Sequence, residues 1–541
     1  MYRYFAKNCL ASMPKIHSLM RQLIPFVRTA LRPLRLCANI VSLVAPRHRY
    51  LNGTAATIPA ATSSRSFTIA HNPECEGGIT YPGLVATASL YLAASVGLIF
   101  LILIALYAVG RPTQIWLGGF YFGEREPYLQ MMSSRAVTIR WQSIEKFSGV
   151  VRYGKKEDLL NETQRETVPT KAHEIRLTNL EPATKYFYSV GDGIKTEFKG
   201  ESFWFKTAPE TKTDHIDSAA TRFWVTGDQG DPTIIQRQVR DAMIDWARQN
   251  SRTDANAPLF DFWITTGDNA YTSGTNPQFQ TAFFEPYKTI LRNTPVWPAY
   301  GNHDARRRVF LDIFSFPENA ESGGVASGSE NYYSFDYANI HFVMLDTSES
   351  DLDKDGEMLS WLKNDLQKTK QQWLIAVFHH PPYTKGSHDS DSRRDSRGRL
   401  VSVRGNIIPL LEKFGVDLVL SGHSHMYERS ALINCHYGFS DSFSPDLVRS
   451  NGGQSIYYKK ENKLAALNGT VYGVIGSSSK VDGGPLDHPA LPYSYQEAGS
   501  IAVDIDSNRL KAFFVNKEGV VKDQFEIIKG VADGVESREC E

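Results

Sequence analysis

The sequence predicts an apolar helix that crosses a membrane, then an all-β sandwich, then a larger α/β domain in which a layered β-sandwich is flanked by helices. Three observations predict this order. Residues 84–110 carry no charged side chain, residues 126–208 alternate apolar with polar side chains, and from residue 222 short apolar runs alternate with helical patterns. A chain of 541 residues is also too long for one hydrophobic core, so two or more domains are expected.

The composition narrows the class of protein and of partner. The chain is 42% hydrophobic and 22% charged, which is typical of a globular protein, and its formal net charge of +0 gives no broad attraction to nucleic acid. No nucleic-acid partner is therefore expected. The five cysteines lack C-x-x-C spacing, which disfavours a zinc knuckle or a disulfide framework. Cys435 and Cys540 could pair, but the sequence does not decide this.

The apolar run follows a basic extension, residues 1–83, whose only acids are Glu74 and Glu76. A transmembrane helix needs ~20 apolar residues, and 84–110 supplies them. Because basic residues favour the cytoplasmic side, we expect a single-pass anchor with the remainder extracellular, periplasmic or lumenal. Four alternatives stay open: a buried core helix, a cleaved signal that would release a secreted protein, an organelle transit peptide within residues 1–70, and a mis-called start codon.

N-glycosylation sequons offer a test of this topology. The sequence contains three, at Asn52, Asn161 and Asn468. We expect Asn161 and Asn468 to be modified only if the domains that hold them face a lumen.

The all-β domain is predicted over residues 126–208 from its alternating pattern, as at Val137, Ile139 and Trp141. The stretch LTNLEPATKYFYSV at 177–190 resembles the corner before a late strand of fibronectin type III domains. In those domains a tyrosine hydroxyl closes the corner, and Tyr186 would take that role. The polar stretch that follows, residues 209–222, lacks periodicity and is predicted to be a domain boundary.

The α/β domain is predicted over residues 222–530 from apolar runs that end at Gly, Asp or His. The predicted strands are 223–226, 260–266, 296–300, 341–345, 373–378 and 417–421, and the predicted helices are 234–248, 356–370 and 406–414. Strands buried on both faces and separated by helices are typical of a sheet covered by helices. Functional side chains are then expected just after the carboxyl ends of the strands.

Five short blocks stand at these strand ends in one fixed order. They are GDQG at 227–230, GDNAY at 267–271, GNHD at 301–304, FHHPP at 378–382 and GHSH at 422–425. A single Gly-Asp is a common turn, so Asp228 or Asp268 alone would indicate little. An Asn ligand is more specific, and a His-x-His pair places both rings on one side of an extended segment. His380 is expected to face away, because adjacent strand residues point to opposite faces. Together the blocks resemble the complete ligand set of a two-metal phosphoester hydrolase.

The series resembles the metallophosphoesterase superfamily and, within it, the purple acid phosphatases, because Tyr271 follows the second aspartate by three positions. The resemblance implies that iron(III) is held by Asp228, Asp268, Tyr271 and His425. It implies that a second metal, divalent iron, zinc or manganese, is held by Asp268, Asn302, His379 and His423. Hard oxygen ligands suit a trivalent ion, and two imidazoles suit a divalent one. His303 and His388 would contact the phosphate or the leaving oxygen, although His388 lies in a loop that differs between subgroups.

The resemblance predicts an acid phosphatase that hydrolyses small phosphate monoesters, with a metal-bound hydroxide as nucleophile and a mildly acidic working pH. Two alternatives stay open: a phosphodiesterase or nucleotide hydrolase with the same metal pair, and a catalytically inactive, membrane-anchored binding protein. Five arginines could extend an anion-binding surface or simply be solvated, namely Arg393, Arg394, Arg397, Arg399 and Arg404. The physiological substrate and the oligomeric state do not follow from the sequence.

Overall fold

The computed structural model describes residues 123–211, 220–252, 257–306, 308–450 and 455–540. The basic extension 1–83, the apolar run 84–110 and the Asn52 sequon lie outside these residues. Within the described ranges, no helix is both long enough and apolar enough to cross a bilayer. The membrane anchor therefore stays a prediction.

The first domain is built from antiparallel strands. They are β1 (Arg125–Gln130), β2 (Val137–Phe147), β3 (Val150–Gly154), β4 (Glu162–Arg165), β5 (Thr170–Leu177), β6 (Lys185–Gly191), β7 (Thr196–Phe198) and β8 (Trp204–Lys206). They form one sheet of order β1-β2-β5 and a second of order β4-β3-β6-β7, with β8 paired to β6. The alternating apolar residues, among them Ile139, Trp141 and Tyr188, are buried.

Tyr186 makes the contact that was predicted for it. Its hydroxyl accepts a hydrogen bond of 3.0 Å from the backbone N–H of Glu181, five residues upstream. This hydrogen bond satisfies a backbone donor at the turn into β6 and fixes the corner of the sandwich. The wider resemblance to fibronectin type III domains stays a prediction.

The second domain contains two seven-stranded mixed sheets and a short hairpin. Its first strands are β9 (Thr221–Thr226), β10 (Phe262–Thr265), β11 (Val296–Pro298), β12 (Tyr333–Tyr337), β13 (Ile340–Met344), β14 (Trp373–Val377) and β15 (Leu418–Ser421). The later strands are β16 (Tyr427–Arg429), β17 (Leu432–Ile433), β18 (Val448–Ser450), β19 (Ile456–Lys459), β20 (Val471–Ile475), β21 (Tyr493–Tyr495), β22 (Gly499–Asp506), β23 (Arg509–Asn516) and β24 (Val521–Lys529). The sheet orders are β11-β10-β9-β22-β23-β24-β19 and β12-β13-β14-β15-β20-β16-β21.

Aromatic side chains fill the space between these two sheets. Phe223 and Phe262 of the first sheet approach Phe342 of the second, each with ring centroids 5.4 Å apart in an edge-to-face arrangement. Tyr427 of the second sheet stacks on Phe514 of the first at 3.9 Å. Such rings bury a large apolar area and favour defined geometries, so they hold the two sheets in one relative position. The predicted layered β-sandwich is confirmed.

The helices are α1 (Ile234–Gln249), α2 (Asn276–Phe279), α3 (Glu285–Leu291), α4 (Val309–Ile313), α5 (Glu357–Lys368), α6 (Arg399–Ser402) and α7 (Ile408–Lys413). The predicted helices 234–248 and 356–370 match α1 and α5 closely. The single helix predicted over 406–414 is wrong in its start, because α6 precedes it and a π-helical turn at Val403–Ile407 joins α6 to α7. Pro409 has no N–H, so it cannot continue the i→i−4 hydrogen bonding there.

The first domain is fastened to the second by buried polar contacts. Arg125 is 2% exposed, and it donates to Asn276 at 2.6 Å and to Gln280 at 2.9 Å. Arg140 of β2 donates to the carbonyl of Asp312 at 2.7 Å. These contacts explain why β2 is buried on both faces in its first half, where the sequence predicts one buried face.

A disulfide joins Cys435 to Cys540, with Cα atoms 5.3 Å apart and a sequence separation of 105 residues. The sequence left this pairing undecided. The bond ties the segment after β24 to the hairpin that starts at β17 (Leu432–Ile433). Closing so long a loop stabilises the folded state by restricting the unfolded chain.

Candidate metal centre

The loops that follow β9, β10, β11, β14 and β15 come together at one edge of the sandwich, and each carries one of the five blocks. Three of the predicted ligands take left-handed backbone conformations, namely Asp228 (φ 55°), Asp268 (φ 54°) and His423 (φ 68°). Each directly follows a glycine. Non-glycine residues in this region cost about 1–3 kcal/mol each, so the surrounding fold must enforce them.

The glycines are needed because the loops approach one another too closely for a side chain. A Cβ on Gly227 would lie 2.1 Å from the carbonyl oxygen of Ile475, and a Cβ on Gly301 would lie 2.0 Å from the nitrogen of Asp268. No real Cβ makes such a contact. Glycine therefore allows the ligand loops to approach one another closely. Its position directly before the predicted ligands is explained by this close approach.

The first cluster contains the residues predicted to hold iron(III). The Tyr271 hydroxyl lies 2.8 Å from Asp228 Oδ1 and 3.2 Å from His425 Nε2. His425 Nε2 in turn lies 3.4 Å from Asp228 Oδ1. Asp228 and Asp268 are fully buried, and Tyr271 is 8% exposed.

The second cluster contains the residues predicted to hold the divalent ion. His379 Nε2 lies 2.9 Å from Asn302 Oδ1, 3.2 Å from His423 Nδ1 and 3.4 Å from Asp268 Oδ1. Ligand atoms of Asp228, Asp268 and His379 all lie within 4.8 Å of one another. Asp268 is therefore placed between the two clusters, which is the position that a bridging carboxylate requires.

The donor atoms in this site fit a pair of cations. His379 Nδ1 lies 2.9 Å from the carbonyl oxygen of Thr266 and must carry the proton there, which leaves a lone pair on Nε2. That lone pair faces the oxygen of Asn302 and the carboxylate of Asp268. His425 shows the same pattern, because its Nδ1 is hydrogen-bonded to Asp482 and its Nε2 faces Asp228. Lone pairs that converge in a buried space repel one another unless a cation lies between them.

The pKa shifts of Tyr271 and His423 also favour bound cations. Burial, followed by the charges of Asp228 and Asp268, raises the pKa of Tyr271 well above its ordinary value. A phenolate at this position therefore needs a strongly charged cation, as an iron(III)–tyrosinate pair provides. Burial, reinforced by neighbouring histidines, holds the pKa of His423 well below its ordinary value, so its ring is neutral and can donate to a metal.

His303 and His388 both lie beside the clusters. The His303 ring packs edge-on against Tyr271 with centroids 4.6 Å apart, and its Nδ1 lies 2.7 Å from the carbonyl oxygen of Thr272. The His388 ring stacks on His423 at 3.8 Å, and its Nδ1 lies 2.8 Å from Asp395. The structure thus places His388 at the site, although the sequence singled it out only by resemblance.

His380 is a neighbour of the clusters and not a predicted ligand. Its Nδ1 lies 2.9 Å from the hydroxyl of Thr347, and the residue is 2% exposed. Burial, with a smaller effect from His379, holds its pKa well below the ordinary value. Its ring centroid lies 4.4 Å from that of His423 and 5.1 Å from that of His379, so the neutral ring packs against two predicted ligands and the expectation that it faces away is wrong.

Two of the five arginines proposed for anion binding donate to backbone carbonyls. Arg404 is 1% exposed and donates to the carbonyls of Pro382 and Ser390 at 2.9 and 2.8 Å. Arg399 donates to the carbonyls of Thr347 and Ser350. The anion-binding interpretation is therefore wrong for the buried Arg404, whereas Arg399, which is partly exposed, uses Nη1 to fix a loop.

The sequence missed several residues that support the ligands. Asp304, fully buried, accepts hydrogen bonds from the N–H groups of Asn269, Ala270 and Gly301. It stands inside the GNHD block, so the block itself carried the signal. Asp482, 57 residues after His425 in the sequence, is hydrogen-bonded to the Nδ1 of that histidine. Nothing in the local sequence around Asp482 indicates that contact.

Two known protein-family models match the two domains of this chain. Residues 221–427 match the calcineurin-like phosphoesterase model, and residues 126–207 match the model of the purple acid phosphatase N-terminal domain. Purple acid phosphatase 21 of Arabidopsis thaliana is 30% identical over 271 residues, which cover 48% of this chain and 53% of that protein. Acid phosphatase type 7 of Mus musculus is 25% identical over 302 residues, which cover 52% of this chain and 61% of that protein. The chain thus spans about half the length of the curated relatives it matches.

Solved structures share the fold. A purple acid phosphatase from yellow lupin (Lupinus luteus) seeds aligns with a TM-score of 0.58 at 18% identity and covers 74% of each chain. The structure of PhoD aligns with a TM-score of 0.52 at 12% identity and covers 77% of this chain and 92% of that one. Residues 126–207 and 221–427 are thus similar to the N-terminal domain of purple acid phosphatases and to the calcineurin-like phosphoesterase domain, in that order along the chain.

Proposed function

We propose that the protein is an acid phosphatase that hydrolyses small phosphate monoesters with an iron(III) and a divalent iron, zinc or manganese ion. The observation that supports this most strongly is the convergence of lone pairs from Asp268, Asn302 and His379 in one buried space. The phenol of Tyr271, in contact with Asp228, supports the iron(III) assignment in particular.

When bound, the metal pair would neutralise phosphate oxygens and activate water for attack on phosphorus. The protein's own residues orient this chemistry. Asp482 and the Thr266 carbonyl fix the proton positions of His425 and His379, so both rings present lone pairs inward. We assign protonation of the leaving oxygen to His303, because its Nε2 lies 3.9 Å from Asp268 and is not used by the Thr272 carbonyl.

His388 is held for a related role. Its Nδ1 is committed to Asp395, and stacking on His423 fixes the ring plane. Its Nε2, on the ring edge opposite Nδ1, is the atom that we assign to a phosphate oxygen on the His423 side of the site. Because its side chain is 28% exposed, a substrate reaches it from solvent.

Asp268→Asn tests the function. Asparagine keeps the shape of the side chain but removes the charge that two cations would share, so we expect kcat/KM to fall by more than about 100-fold. The assay compares monoester and diester substrates over a pH series, with metal content measured in parallel. Near wild-type turnover would contradict the bridging role. A clear preference for diesters would favour the phosphodiesterase alternative, and an inactive, metal-loaded wild-type protein would favour the binding-protein alternative.

We further propose that the described domains lie in an extracellular or lumenal compartment, tethered by the predicted helix at 84–110. The Cys435–Cys540 disulfide supports this, because disulfides persist in oxidising compartments. Asn161 is exposed and available for a glycan. Protease protection of residues 126–541 in sealed membranes is expected, and cleavage without membrane disruption would contradict the orientation.

A further inference from the structure

Lys480 lies beside the candidate metal centre, and no acidic side chain of the described residues pairs with its ammonium. Its Nζ lies 3.9 Å from the centroid of the Tyr271 ring, and the side chain is half-buried. Within the described part of the chain, it forms no ion pair and no hydrogen bond. Lys385, also near the site, differs in that Asp389 and Asp391 pair with it at 2.6 and 3.1 Å.

The loop that carries Lys480 is fastened to the predicted ligands on both sides. On one side, Ser479 donates from its hydroxyl to the carbonyl of Asp228, and Thr233 donates to the carbonyl of Ser479 at 2.7 Å. On the other side, Asp482 is hydrogen-bonded to the ring of His425 and through its N–H to the His425 carbonyl. The position of Lys480 is therefore set by the same residues that shape the first cluster.

The Tyr271 ring is shared between two groups that can contact a phosphate. His303 packs edge-on against it, and the Lys480 ammonium lies over it. A cation over a phenol ring is held weakly at a partly exposed position. A charge-assisted hydrogen bond to a phosphate oxygen is stronger, and an ammonium has three donors on a flexible stem. An arriving phosphate can thus draw the ammonium away from the ring.

We propose that Lys480 binds the phosphoryl group of the substrate and of the product phosphate, on the Tyr271 side of the metal centre. This inference rests on the proposed function and adds a substrate-binding residue to it. The lysine binds phosphate in the ground state as well as in the reaction, so its loss weakens binding more than it slows the chemical step.

The test is Lys480→Met, which keeps length and apolar contact with the ring but removes the charge. We expect the Kd of inorganic phosphate, measured by calorimetry on the metal-loaded full-length protein, to rise about tenfold or more. KM for a monoester should rise with a smaller change in kcat. Lys480→Arg should restore phosphate binding to within about threefold of wild type.

Two controls separate the outcomes. Lys511→Met is the first control. Lys511 is on β23, away from the site, and pairs with Glu526 on β24, so its loss should leave phosphate binding unchanged. Metal content and the visible spectrum of Lys480→Met should match wild type. An unchanged Kd for phosphate in Lys480→Met overturns the inference. If the spectrum shifts while that Kd stays unchanged, Lys480 acts only on Tyr271. If the wild-type protein hydrolyses no ester, the proposed function fails, while the calorimetry still decides whether Lys480 binds phosphate.

Discussion

At the scale of single residues, the ligands depend on a second layer of hydrogen bonds. Asp304 Oδ1 accepts from the N–H of Asn269 at 3.0 Å, and its Oδ2 accepts from the N–H of Gly301 at 3.1 Å. These two amides belong to the loops that carry Asp268 and Asn302. One buried carboxylate thus fixes the relative position of Asp268, the predicted bridging ligand, and of Asn302 in the second cluster.

Asp304→Ala is expected to weaken metal binding by about 10–100-fold without removing any ligand. The reason is that the 267–271 and 301–304 loops lose their common acceptor. The measurement is a titration of the apo-protein with a divalent ion, followed by activity at saturating metal. Asp241→Ala, which alters an exposed acid on α1, is the matched control. Unchanged metal affinity in Asp304→Ala would show that the loops hold their positions without this carboxylate.

The sequence predicted that the residues of both clusters converge, because each stands in a block at the end of a strand. It could not predict Lys480 or Asp482, because these residues reach the site through a loop that returns after β20, far along the chain from the blocks they contact. It also assigned Arg399 and Arg404 to solvent or substrate, since a local pattern cannot distinguish a solvated arginine from one that donates to distant carbonyls.

At the scale of elements, a buried histidine joins a helix to a sheet. His341 on β13 lies 2.7 Å from Asp336 on β12 and 2.7 Å from Asp365 on α5. Burial lowers the pKa of His341, but the hydrogen bonds that its ring donates to both carboxylates, together with their charges, outweigh burial and raise the pKa to about 9. The imidazolium form is therefore the one that holds α5 against the sheet.

This pairing predicts a pH-dependent stability. Because the folded-state pKa of about 9 lies above the ordinary value of 6.5, the stabilisation is complete below about pH 6.5 and is lost as the pH rises through about 9. Its size is ~3 kcal/mol. Denaturant unfolding of wild type and His341→Gln at pH 6 and pH 9.5 should give a difference in unfolding free energy that shrinks at the higher pH. An equal difference at both pH values would contradict the charged pairing.

The sequence predicted elements with strong periodicity better than elements interrupted by proline. Helices α1 and α5 have regular apolar spacing and were placed closely. The helical segment from Asn276 to Leu291 was missed, because a π-helical turn at Gln280–Phe284, followed by Pro286, separates its two parts. Strands β22 to β24 were not assigned, because no ligand block marks their ends.

At the scale of the whole molecule, glycosylation distinguishes the two described sequons. Asn161 is exposed, whereas Asn468 is 1% exposed and its side-chain oxygen accepts from the buried Lys459 at 3.0 Å. We therefore predict a glycan on Asn161 and none on Asn468 in the folded protein. Asn468 instead holds a lysine that also pairs with Asp417 at 2.8 Å.

In a eukaryotic host, removal of N-glycans should shift the mobility of the wild-type protein and leave Asn161→Gln unshifted. Asn468→Gln should shift as wild type does, because its amide is buried against Lys459. The readout is gel mobility before and after glycosidase treatment. A glycan on Asn52 would contradict the predicted cytoplasmic position of residues 1–83, and an unglycosylated Asn161 would contradict a lumenal first domain.

The most direct test of the account is the visible spectrum of the purified full-length protein, recorded with its metal content. The account predicts iron together with a second divalent ion, and a tyrosinate-to-iron(III) charge-transfer band that disappears in Tyr271→Phe. The band should vanish because Tyr271 is the phenol that lies against Asp228 and His425 in the first cluster. A colourless, fully active protein that contains two zinc or two manganese ions would contradict the iron(III)–tyrosinate assignment.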